Sequence, residues 1–298
     1  MNKSLKEAVS KSHQTIQDST ALLIVAGAGM GIDSGLPDYR GPNGLWNTWH
    51  PARELQMRYE DLSTHQLFES NPSLAWGFQS YLTRLYHELK PHQGYHLLLK
   101  MGQKHFKNNY FVITSNVDSQ FVKAGFHPEQ LYEVHGTKRL WQCMDKACNK
   151  NHFPWDMSID QLPETDSETL YAKGPFPKCP HCGQMARPNV SFFNDFFFNE
   201  KQCHVQSSRL YDWMEKNKQQ KLVIIELGCG TSEHSIRFQL DNQQYKMRSN
   251  EWKLPRSFLS QQNCQLIRIN PDQENETETI QIPLGAMRGL KMISQKGF

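Results

Sequence analysis

The chain has no apolar run approaching the roughly 20 residues that a bilayer-spanning helix needs, so a helical membrane protein is not expected. It has little net charge, since 33 Lys and Arg against 30 Asp and Glu leave only +3. So small an excess points away from nucleic acid and from membrane surfaces as partners. It has no internal repeat and no low-complexity tract. The first 19 residues are polar and include Glu7 and Asp18, unlike a secretory leader. The expected location is the cytoplasm, with the nucleus also open. Leu5, Ala8, Val9 and Ile16 share one helix face, which predicts a docked helix near the start. The seven cysteines are an odd number, and four lie in two close pairs. Without a leader, metal binding is favoured over disulfides, and Cys203, Cys229 and Cys264 read as buried thiols.

What is present centres on residues 21–41. Six apolar residues, Ala21–Ala26, suit a buried strand of a parallel sheet. Glycines follow at 27, 29, 31 and 35. Glycine lets a backbone turn tightly and approach a pyrophosphate, whose charge the next amides can face. These glycines alone serve equally well as an ordinary strand-to-helix turn. The sequel sharpens the reading. A simple dinucleotide fold reaches its second strand soon after the first. Here the next convincing strand is Tyr110–Thr114, and Leu36-Pro37-Asp38-Tyr39-Arg40-Gly41-Pro42 intervenes. That segment is too rich in turn formers for a helix and reads as a lid over a phosphate site.

Residues 63–103 have a helical pattern, with Ser63 as a cap, a second helix starting near Pro72 and a stop at Pro91. The strand Tyr110–Thr114 runs into Ser115-Asn116-Val117-Asp118, and a short strand over 130–134 runs into His135-Gly136-Thr137. In open parallel sheets ligands bind beyond the carboxyl ends of strands. Three strand ends therefore bring polar groups to one rim. Most of the thirteen histidines need no functional explanation. His135 stands apart because it follows a strand and precedes glycine. Cys143-x4-Cys148 and Cys179-x2-Cys182 read as two metal-binding knuckles. Four thiolates suit a tetrahedral structural zinc with no open position. His152 and His181 are weaker substitute ligands. Further strands are expected over 221–227, which runs into Gly228-Cys229-Gly230-Thr231-Ser232, and at Cys264–Ile269, which runs into Asn270. Strands alternating with helices predict an α/β fold with a parallel sheet.

Taken together, these motifs resemble the sirtuins, the NAD-dependent protein deacylases, over about residues 21–289. The resemblance rests on Gly27-Ala28-Gly29, Pro37-Asp38-Tyr39-Arg40, Ser115-Asn116-Val117-Asp118, His135-Gly136, the two cysteine pairs, Arg187-Pro188, Gly230-Thr231-Ser232 and Asn270, in family order. It implies a Rossmann-like parallel-sheet domain with a small inserted zinc-binding module. The division expected is 1–138, with a helical insertion over about 50–103, then 139–189 for the module, then 190–298.

The resemblance implies NAD as co-substrate, structural Zn²⁺ on Cys143, Cys148, Cys179 and Cys182, and an acyl-lysine protein or peptide as substrate. It implies release of nicotinamide and O-acyl-ADP-ribose. His135 would be the general base, with Asn116 and Asp118 beside it. Gly27, Ala28, Gly29, Ile32, Asp38, Tyr39, Arg40, Trp46, Ser115, Gly230, Thr231, Ser232, Asn270 and Ala286 would complete the cofactor site. The peptide would lie extended near Val190 and Phe193.

Four departures stand out. Ser115 replaces the usual glutamine. Phe193-Asn194-Asp195 replaces Phe-Gly-Glu, with asparagine able to hold positive φ. Glu233-His234-Ser235 replaces aliphatics after Gly-Thr-Ser. Gln79 and Leu82 stand where desuccinylating relatives carry Tyr-x-x-Arg, so acetyl or apolar acyl groups are expected. An NAD glycohydrolase or mono-ADP-ribosyltransferase using the same pocket is the alternative, and a non-catalytic NAD-sensing module a more distant third.

Overall fold

The computed structural model describes residues 3–37, 49–230, 264–271 and 279–295. Two sheets organise them. The larger has six strands: β1 Ala21–Ala26, β2 Tyr110–Thr114, β3 Leu131–Glu133, β7 Leu222–Leu227, β8 Cys264–Ile269 and β9 Ile280–Ile282. Their spatial order is β3-β2-β1-β7-β8-β9, and every pairing is parallel. The order reverses between β1 and β7, and open α/β sheets bind ligands at the carboxyl ends beside such a reversal. β1, β2 and β7 are buried along their whole length, as continuous apolar runs in a sheet covered on both faces require. One charged pair is internal: Glu226 on β7 pairs with Arg268 on β8, with Arg268 Nε 2.9 Å from Glu226 Oε1 and both side chains buried.

The smaller sheet has three strands, β4 Gly136–Cys143, β5 Trp155–Asp156 and β6 Ala186–Val190, with β4 in the middle and both pairings antiparallel. The helix Lys3–Asp18 docks through Val9 and Ile16, with Leu5 and Ala8 packed against the same core. Between β1 and β2 lie the helices His50–Glu54, Tyr59–Leu62, His65–Ser70, Pro72–Glu88 and Gln93–Lys100. The cap of the His65–Ser70 helix is Thr64, whose hydroxyl accepts from Leu67 N at 3.2 Å, and not Ser63, which closes the preceding short helix. The second core, around Trp49, Phe68, Trp76, Phe78, Leu82, Val117, Trp141, Val190 and Phe192, joins these helices to the smaller sheet. Among the described residues no helix is long and apolar enough to cross a membrane.

Candidate active site

The glycine loop is held by contact with the loop after β7. A Cβ on Gly27 would lie 2.7 Å from Gly228 O, and one on Gly228 would lie 2.3 Å from Gly29 C. Gly228 also has φ +58, where side chains are strained. Gly29 N donates to Gly228 O at 2.9 Å, and Asn270 Nδ2 donates to Cys229 O at 2.6 Å. The ends of β1, β7 and β8 are thus stitched into one rim. On the far side, Ser34 Oγ accepts from His92 N at 3.0 Å, while His92 Nε2 bonds Met30 O at 2.8 Å. Ala28–Met30 and Ile32–Ser34 form two short 3-10 turns, and the Ile32 side chain is 50% exposed. Ala286 opens the helix Ala286–Ser294, and that helix's Met287 N donates to Asp33 Oδ2 at 3.0 Å.

The end of β2 carries the next group. Asn116 Nδ2 donates to Gly27 O at 2.9 Å, and Ser115 N donates to Ala26 O at 3.1 Å. Asn116 and the glycine loop therefore share one position. Asp118 is 5% exposed, and its Oδ1 accepts from Gln120 N at 2.9 Å. Burial pushes its carboxyl up to about 6, against the pull of the Gln120 N–H and Lys123. A buried carboxylate on the rim, charged at neutral pH, is an acceptor for a donor such as a carboxamide.

β3 delivers His135. The ring is half-buried, and the backbone carbonyl accepts from Ser191 N at 2.9 Å. Gly136 then pairs with Val190, so the histidine lies where the large sheet passes into the small one. Gly136 has φ +73, and a Cβ there would lie 2.2 Å from Asn189 O, so only glycine fits. Glu133 and Thr137 flank His135. Glu133 is buried and pushed up to about 7 by burial, with Thr137 and Gln206 as hydrogen-bond partners. Thr137 Oγ1 lies 2.9 Å from Ser119 Oγ, which ties this turn to the one after β2. Phe193 N donates to Ser63 O at 3.0 Å, and its ring meets Tyr59 edge-on.

Asn194 has φ +53, as the substitution of asparagine for glycine requires. Asp195 Oδ2 accepts from buried Arg187 Nη2 at 2.6 Å, while Oδ1 accepts from Phe197 N at 2.9 Å. Arg187 and Asp195 are thus tied to each other as a structural pair beneath Val190 and Phe192.

Cys143 ends β4, Cys148 lies on the helix Lys146–Asn151, and Cys179 and Cys182 precede β6. Their four sulfurs lie within 4.8 Å of one another. Asp145 N donates to Cys143 Sγ at 3.3 Å and His181 N to Cys179 Sγ at 3.4 Å, as thiolate knuckles require. Four soft donors converging at this spacing fit tetrahedral zinc and leave no position for substrate. The rings of His152 and His181 stack on each other at 3.7 Å and are not in the cluster.

Asp38, Tyr39, Arg40, Trp46, Thr231 and Ser232 lie outside the described residues, and Gly230 is the last described residue after β7. Sequence reading passed over Glu133 and Lys138. Lys138 is 3% exposed, and burial pushes its ammonium down to about 7. A lysine in a sequence carries no mark of burial. The one available signal was its place three residues after His135.

Comparison with known proteins accords with this geometry. The chain is 30% identical over 230 residues to NAD-dependent protein deacylase 1 of Caldanaerobacter subterraneus, covering 77% of this chain and 76% of that one. It is 29% identical over 174 residues to the NAD-dependent protein deacylase of Aquifex aeolicus, a match spanning 62% of that relative. Among solved structures, a Sir2 homologue in complex with NAD superposes with a TM-score of 0.64 at 22% identity, over 96% of this chain and 93% of the other. A Sir2 variant with a deacetylated p53 peptide and 3'-O-acetyl-ADP-ribose gives 0.62 at 18% identity, over 97% and 98%. These likenesses at low identity establish the fold. The Sir2 family model matches residues 27–232, a span that takes in the glycine loop, Asn116, Asp118, His135 and all four cysteines, and the chain belongs to that family.

Proposed function

We propose that the chain is an NAD-dependent protein-lysine deacylase that binds one structural zinc. The observation that carries this is the shared rim: β1, β2 and β3 lie side by side and deliver the glycine loop, Asn116 with Asp118, and His135. The β6 segment that would pair with an extended peptide joins the same place through Ser191 and His135.

Bound NAD supplies an electrophilic anomeric carbon with nicotinamide as leaving group. Asp118, ionised above about pH 6, accepts from the carboxamide and holds the leaving group in place. Asn116, anchored on Gly27 O, positions the ribose side of the pocket. His135 takes the proton from a ribose hydroxyl, a general-base step suited to an imidazole and worth about 10²–10⁴-fold. Gly27, Ala28, Gly29, Gly230, Asn270 and Ala286 line the dinucleotide crevice, with Asp38, Tyr39, Arg40, Trp46, Thr231 and Ser232 assigned by family order alone. Ser115 is shorter than glutamine and reaches ribose through a water. Val190 and Phe193 contact the peptide, and the backbone of Ile32 faces the carboxamide. Cys143, Cys148, Cys179 and Cys182 hold zinc, which supplies folding energy to the smaller sheet. The division into 1–138, 139–189 and 190–298, and a cytoplasmic location that keeps these thiols reduced, belong to the same proposal.

The test is nicotinamide release with and without an acyl-lysine peptide. Release that needs the peptide supports the deacylase. Release at the same rate without it supports the glycohydrolase reading that Ser115 favours.

A further inference from the structure

Lys138 has no task in the chemistry above. It stands three residues beyond His135 on β4, and its N–H donates to Val117 O at 3.1 Å, between Asn116 and Asp118. His135 itself lies in the turn before β4, which Gly136 opens with φ +73. Its side chain turns inward, and its ammonium donates to Gln79 Oε1 on the helix Pro72–Glu88. That amide is its one acceptor among the described residues, and no carboxylate offsets its burial. Gln79 is fully buried, and its Nε2 has no partner among the described residues. Phe78 and Leu82 on the same helix belong to the apolar core that includes Val117 and Val190. A buried ammonium without a counter-charge is costly, and methionine or leucine would pack there at less cost. Two buried donor groups short of acceptors, beside apolar walls and on the strand that bonds Val117 between Asn116 and Asp118, fit an anionic oxygen group.

We propose that Lys138 and Gln79 close the acyl pocket and select an acyl-lysine whose acyl chain ends in a carboxylate, such as succinyl-lysine. The proposal rests on the deacylase reading and adds the substrate class. The cation comes from β4, so the lack of an arginine at Leu82 is no bar, and the apolar expectation drawn from Gln79 and Leu82 is reversed. An acyl carbonyl placed by Asn116 and His135 leaves a short diacid tail directed along β4 toward Lys138, where the carboxylate accepts from the ammonium and from Gln79 Nε2.

The test uses the full chain, NAD and one peptide bearing acetyl-, butyryl- or succinyl-lysine, with kcat/KM read from deacylated peptide. Butyryl matches succinyl in backbone length and lacks the charge. The wild-type protein is expected to favour succinyl over butyryl at least tenfold. Lys138→Met is expected to cut that ratio at least tenfold, chiefly through KM, and Gln79→Leu to cut it less. A wild-type preference for butyryl or acetyl overturns the proposal and leaves the deacylase reading standing. So does a ratio unchanged in Lys138→Met. If the wild type removes none of the three groups, the deacylase reading falls and this proposal with it. The wild-type ratio decides without any variant, should Lys138→Met not fold.

Discussion

At the scale of single residues, Asp118 and His135 are assigned to different moments of one reaction, so their loss has different signatures. In the proposed mechanism Asp118 holds the leaving group and acts before and during bond cleavage. Asp118→Ala is expected to lower nicotinamide release and peptide deacylation together, by about two orders of magnitude if it forfeits a charge-assisted bond worth about 2–3 kcal/mol. In the same mechanism His135 acts afterwards. His135→Ala is expected to abolish deacylated product while leaving slow nicotinamide exchange, because the first bond breaks without a base. If His135 only supports the turn between β3 and β4, the variant loses melting temperature instead. A His135→Ala protein with unchanged melting temperature that deacylates at the parent rate contradicts the assignment. Their place on the rim was legible because each follows a strand end. Lys138 was not, because its burial arises from the helix Pro72–Glu88, remote in sequence.

At the scale of elements, the strands read well where burial is uniform. β2 and β8 fall on the residues their apolar runs predict, and β7 starts at Leu222, one residue later than expected. β4 was missed. Its eight residues include Thr137, Lys138, Arg139 and Gln142, with no two-residue alternation, and nearly all are buried because the helices pack on one face and the turn after Asn194 on the other. The helix expected near Pro72 begins there, whereas the cap expected at Ser63 falls one residue later, since Thr64 and Ser63 are equally good caps in sequence and only the Leu67 N–H chooses between them.

The end of the smaller sheet that carries the four cysteines lies away from the Trp141 and Val190 side chains of the second core, and zinc bound there would contribute much of its stability. About one zinc per chain is expected by elemental analysis. Cys179→Ser, or removal of zinc by a strong chelator, is expected to loosen β4 and β6 and displace His135 through Gly136. The melting temperature and activity should fall together. A zinc-free protein with full activity would refute the assignment.

At the scale of the whole molecule, three buried groups around the site are charged at some cost. Asp118 is raised to about 6 and Glu133 to about 7, so between about pH 4 and 7 the folded state holds protons that the unfolded state has lost. Their contribution to stability falls as pH rises through that window. Lys138 is lowered from 10.5 to about 7, so the unfolded state holds the extra proton between those values and stability rises with pH there. The summed contribution of these three groups is least favourable near neutrality, a pattern expected where a site is shaped for ligands and not for packing. Melting curves at pH 5, 7 and 9.5 check this. Lys138→Met is expected to gain most over the wild type at pH 5 and 7, with the gain shrinking toward pH 9.5. Asp118→Asn is expected to gain more at pH 7 than at pH 5. Gains independent of pH would show that these side chains titrate normally.

The measurement that bears most directly on the central claim is the product balance of one reaction. The full chain is mixed with NAD and an excess of a lysine peptide carrying a removable acyl group, succinyl or acetyl. Nicotinamide, deacylated peptide and acylated ADP-ribose are then quantified together over time. The deacylase account predicts equal amounts of all three at every point, and none of them when peptide or NAD is left out. Nicotinamide accumulating with free ADP-ribose while the peptide keeps its acyl group would contradict it.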